Sequence, residues 1–63
     1  MKVTVQQVSI RAFATMGEGE GLDEHGKRVK FVGDHRLMRA IGEALNAGEE
    51  PVAEVEDWQL VEA

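Results

Sequence analysis

Apolar positions along the chain change period several times, and each change marks an element. Residues 3–16, VTVQQVSIRAFATM, alternate as a strand does, but the phase shifts: Val3 and Val5 are odd, whereas Val8, Ile10, Ala12, Ala14 and Met16 are even. Strand side chains point to opposite faces with period two, so a phase shift needs an extra residue, and a β-bulge is predicted at Gln6-Gln7. One long bent strand is the expectation. Phe13 is out of phase, aligned with Ser9, Arg11 and Thr15. It is expected to be covered by a loop or a second subunit, the alternative being an aromatic anchor for a ligand.

GEGEG, residues 17–21, reads as a strand bend or mobile arm, because glycine weakens a regular strand. Asp23 to Gly26 form a tight turn, with Gly26 supplying a positive φ, and Lys27 to Val32 follow as the second arm of a hairpin. Val29 and Phe31 share one face of that arm, Arg28 and Lys30 the other. Phe31 is a predicted core residue.

The helix has the clearest signature. Leu37, Met38, Ile41, Ala44 and Leu45 recur at three- and four-residue steps, predicting a helix over about 35–47. Asp34 suits the N-cap, and Gly48 with Pro51 beyond it ends the run. Leu37, Ile41 and Leu45 should be buried, and Arg39, Glu43 and Asn46 exposed. Val52 to Val61 reads as a last extended segment, broken in phase at Glu56-Asp57, with Trp58 capping the core. The fold expected is α+β: a small curled antiparallel sheet or partly open barrel with one helix. Its order, β-β-β-α-β, resembles that of oligonucleotide/oligosaccharide-binding or SH3-like barrels, on element order alone.

At 63 residues the chain is read as one domain, of a size that buries about 60% of the surface exposed when unfolded. Its core is small, so covering an apolar face between subunits would matter. The lack of cysteine excludes disulfides, thiolate nucleophiles and cysteine-held metals. No apolar run reaches bilayer length, so a cytoplasmic protein without membrane contact is expected. A net charge of −5 argues against direct nucleic-acid binding, which needs clustered Lys and Arg.

The charge is unevenly spread. Lys27, Arg28, Lys30, Arg36 and Arg39 form a basic stretch, whereas Glu43, Glu49, Glu50, Glu54, Glu56, Asp57 and Glu62 make the C-terminal part acidic. The expectation is that Arg28 and Lys30 face Glu54 and Glu56 across adjacent strands and neutralise them. Catalytic signatures are missing: Ser9 has no glycine elbow or evident base, and Glu18, Glu20, Asp23, Glu24 and His25 match no metal-loop spacing. Neither a cofactor nor a metal is expected.

Three readings of function remain. The first is a non-enzymatic, self-associating interaction module that works through a protein–protein surface, with Phe13 as a contact. The second is an acidic mimic of nucleic-acid phosphates, of phage or mobile-element origin, that works through Glu54 and Glu56. The third is a small barrel that binds an anion through Arg11, Arg28, Lys30 and Arg36.

Overall fold

The computed structural model describes residues 1–10 and 15–61. Strands β1 (Lys2–Ser9), β2 (Met16–Asp23) and β3 (Arg28–Asp34) precede helix α1 (His35–Asn46). A short β4 (Val52–Glu54) and a 3-10 turn, Asp57–Gln59, follow it. All strand pairs are antiparallel, in the order β3-β2-β1-β4. The sheet curls far enough for the chain after the 3-10 turn to reach the outer edge of β3. There Phe31 bridges Leu60, and Val61 N–H donates to the Lys30 carbonyl at 3.0 Å. The result is the expected α+β architecture, a curled half-barrel with one helix packed on its inner face.

The bulge lies where the phase shift placed it. Val5 pairs with Gly21 and Gln7 with Glu20, leaving Gln6 as the extra residue. Inward positions therefore pass from Val3 and Val5 to Val8. The single strand expected over 3–16 is corrected: β1 stops at Ser9 and the same run of sequence enters β2 at Met16, as two arms of a hairpin. Arg11 and Phe13 lie outside the described residues, so the expectation for Phe13 has no structural counterpart.

GEGEG is corrected as well. It is the centre of β2, an inner strand of the sheet, with Gly17, Gly19 and Gly21 facing the core and Glu18 and Glu20 facing out. The inward glycines leave room for their neighbours. A Cβ on Gly17 would meet Met38 Cγ at 2.9 Å, and one on Gly21 would overlap the carbonyl of Thr4. Strand propensity loses here to the packing of large residues supplied by β3 and α1. The turn into β3 is as read: Asp23 Oδ1 accepts from the backbone N–H of His25 (2.8 Å) and Lys27 (2.9 Å), and Gly26 has φ 78°.

At the start of α1 the Asp34 carboxylate accepts from Leu37 N–H at 2.8 Å. At its end Gly48 takes φ 81° and its N–H donates to the Leu45 carbonyl. Met38 and Ile41 are buried, Leu45 is partly buried, and Arg39, Glu43 and Asn46 lie on the outer side. Leu37 is a correction, being 37% exposed. The helix centres on the Met38, Ile41 and Leu45 stripe: Met38 fills the space above Gly17 and shares that above Gly33 with Leu37, which sits at the margin.

The core gathers Val3, Val5, Phe31, Met38, Ile41, Ala53 and Val55, with Val8, Val29, Leu45 and Leu60 packed around it. The break at Glu56-Asp57 is real, and its form is the 3-10 turn. That turn also corrects Trp58, which is 65% exposed and donates its indole N–H to the Glu56 carboxylate at 2.8 Å. A 3-10 turn rotates the chain by about a third of a circle per residue, so Trp58 swings outward and Gln59 inward. Buried Gln59 donates to the Val32 carbonyl and accepts from Glu56 N–H, both at 2.9 Å.

Candidate interaction surface

Cross-strand pairing fixes which side chains share the outer face of the sheet. Arg28 and Lys30 of β3 stand beside Leu22 and Glu20 of β2, and Gln7 of β1 follows on the other side of Glu20. Arg28 makes an ion pair with Glu20. That hydrogen bond, with the charges of Arg28 and Lys30, holds the Glu20 carboxyl below the usual glutamate range against a smaller opposing effect of burial.

The expected pairing with Glu54 and Glu56 is therefore a correction. Strand β4 lies at the opposite edge of the sheet from β3, and Arg28 of β3 pairs instead with Glu20 of the glycine-rich strand. Glu54 instead stands across from Lys2 and lies 3.4 Å from the Met1 amino group, while Glu56 accepts from Trp58. Among the described residues, Glu49, Glu50 and Asp57 are exposed and form no ion pair. Of the proposed anion ligands, Arg28 and Lys30 share one face with Glu20 between them, and Arg36 is exposed on the first turn of α1.

The feature that unites several elements lies elsewhere. Strand β4 pairs with β1 only through Lys2, Val3 and Thr4, and the last bond between them runs from Val5 N–H to the Pro51 carbonyl at 2.9 Å. Beyond the bulge, Gln7, Val8 and Ser9 pair with β2 alone among the described residues. A groove of about 570 Å³ opens beside this half-strand. Gln6, Gln7, Val8 and Ile10 form one wall. Met38, Arg39, Gly42, Glu43, Leu45 and Asn46 of α1 form the other. Ile10 is 43% exposed, and a Cβ on Gly17 would touch both Ile10 and Met38, which places these two side by side at one end.

Periodicity marks Arg39 and Glu43 only as solvent-facing positions, and the groove between them and β1 has no signal in the sequence. A bulge at Gln6-Gln7 does imply that β1 can change neighbours there, but the strand order needed to expose the edge is not written in any one segment.

Among the described residues no three His, Asp or Glu side chains gather closely enough to hold a metal ion. No described helix is long and apolar enough to cross a membrane. The fold and this groove define a small α+β half-barrel with a partly open strand edge. Comparison with protein-family models, curated proteins and solved structures finds no match for the chain.

Proposed function

We propose that the chain is a non-enzymatic interaction module that associates with itself. The observation that carries this reading is the half of β1 beyond the bulge, which has one strand neighbour among the described residues and borders a groove that Val8, Ile10, Met38 and Leu45 line together with polar side chains. Backbone N–H and C=O groups on an edge are a template for another strand, and apolar side chains beside them add area to bury. Static light scattering across a micromolar concentration series tests it. A mass that rises toward a multiple of 6.9 kDa is expected, and a constant monomer mass defeats the reading.

A second reading rests on a separate observation. Among the described residues Glu49, Glu50 and Asp57 are exposed and in no ion pair, in a chain of net −5. Such a surface attracts basic proteins, including those that handle nucleic acids. Binding to a basic DNA-binding protein that weakens steeply with salt supports this reading, and binding indifferent to salt removes it.

A further inference from the structure

We propose that the groove between β1 and α1 is filled by a second copy of the chain related by a two-fold axis, with the β1 edges antiparallel and Arg39 of each copy facing Glu43 of the partner subunit. This rests on the self-associating reading and specifies its geometry.

The argument for a second copy, over an unrelated protein, is the charge of the groove. The chain carries 12 acidic and 7 basic residues, yet the charged residues lining the groove are one of each sign, Arg39 and Glu43. They are spaced four residues apart on one face of α1, and among the described residues neither forms an ion pair. Rotation by a two-fold axis passing between them reverses their order, so a positive and a negative group meet their opposites at two places. Such self-complementarity is what an isologous interface requires.

Gly42 lies between them, and a Cβ added there would meet nothing within 4 Å. Two helices can therefore approach closely at that point. The same axis sets the edges of Gln7 and Val8 against each other in antiparallel register, extending two four-stranded sheets into one of eight strands. Ile10 and Leu45, exposed and partly buried in the single chain, line the seam and lose their contact with water.

The test uses charge-reversed full chains in sedimentation equilibrium. Arg39→Glu leaves two carboxylates facing two across the axis, and Glu43→Arg leaves two cations facing two. Each variant alone should associate at least about tenfold more weakly than the wild type, since like charges are brought together twice. An equimolar mixture should recover the wild-type affinity as a heterodimer, because the all-acidic groove of one variant then meets the all-basic groove of the other. Both positions are exposed in the single chain, and circular dichroism should show the helix intact in each variant.

The same reversals at Arg36 and Glu49, outside the groove, serve as the control, and mixing those two variants should give no recovery beyond that of the separate chains. A wild-type dimer indifferent to Arg39→Glu and Glu43→Arg overturns this geometry and leaves self-association standing. Recovery that is equal in the control mixture also overturns it. A wild-type monomer removes the self-associating reading and this inference together.

Discussion

The ring of Phe31 occupies the space above Gly19: a Cβ built on Gly19 would lie 2.5 Å from Phe31 Cζ. The two residues are paired across β2 and β3, and Phe31 is fully buried. The ring has no open side to move into, because Phe31 is wholly enclosed in the core cluster. Gly19→Ala should therefore destabilise the fold by about 1–3 kcal/mol, the usual cost of overpacking. Gly21→Ala should cost more, since its clash is with the backbone of β1 and the two strands would have to separate. Urea unfolding checks both, with Gly42→Ala as the reference. That helical site is open, so alanine there should stabilise the single chain by roughly 0.5–1 kcal/mol.

This relationship also marks the limit of what the sequence conveys. The helix, the β2 to β3 turn and the bulge are legible because periodicity and turn chemistry are local. In β2 the inward positions are glycines, which give no apolar signal, and the volume they leave is filled by Phe31 and Met38 from other elements. The strict Gly/Glu alternation from 17 to 21 is the available clue. Leu37 and Met38 are adjacent on the same helical stripe, and periodicity does not show that Met38 reaches over both Gly17 and Gly33 while Leu37 reaches Gly33 alone. The charge pairing fails for a similar reason: element order does not give strand order, and β3 and β4 lie at opposite edges. The groove depends on that strand order and is equally hidden.

Trp58 should report a solvated indole. It is the only tryptophan, is 65% exposed, and is held by Glu56 on the surface of the 3-10 turn. Emission of the native chain should differ little from that of the unfolded chain and should be quenched readily by acrylamide. Trp58→Phe should change stability by no more than about 0.5 kcal/mol, as surface substitutions do. Blue-shifted emission protected from quenching would contradict the arrangement.

Gln59 closes the half-barrel by hydrogen bonds. Its amide joins the Val32 carbonyl on β3 to the Glu56 N–H at the head of the 3-10 turn, within a site that leaves Gln59 only 7% exposed. Gln59→Ala strands both backbone groups and should cost about 1–3 kcal/mol. Gln59→Leu keeps the volume but not the bonds, and it should be comparably unstable. If leucine were tolerated, packing would be what holds the C-terminal segment on β3. Amide hydrogen exchange adds a local readout: Val61 N–H, bonded to the Lys30 carbonyl, should lose protection in both variants.

Two carboxylates make the fold sensitive to acid, and the sign follows from their partners. Glu20 is held below its ordinary value of 4.5 chiefly by the hydrogen bond from Arg28. Asp23 is held below 3.8 chiefly by the backbone N–H of Lys27, with that of His25 adding to it. Both are thus stronger acids folded than unfolded. Their contribution is complete above the unfolded values and is lost as pH falls through those values toward the folded ones. Unfolding free energy should be insensitive to these groups from neutral pH down to about 5, and should decline below about 4.5. Glu20→Gln should flatten the upper part of that decline and lower stability at neutral pH slightly, an effect that salt diminishes because the pair with Arg28 is exposed. Asp23→Asn can still accept the two turn N–H groups through its amide oxygen, so it should keep the hairpin while removing the lower part of the acid response. Urea midpoints measured from pH 3 to pH 7 on the three proteins check this, and identical acid limbs in wild type and Glu20→Gln would contradict the role of the Arg28 contact.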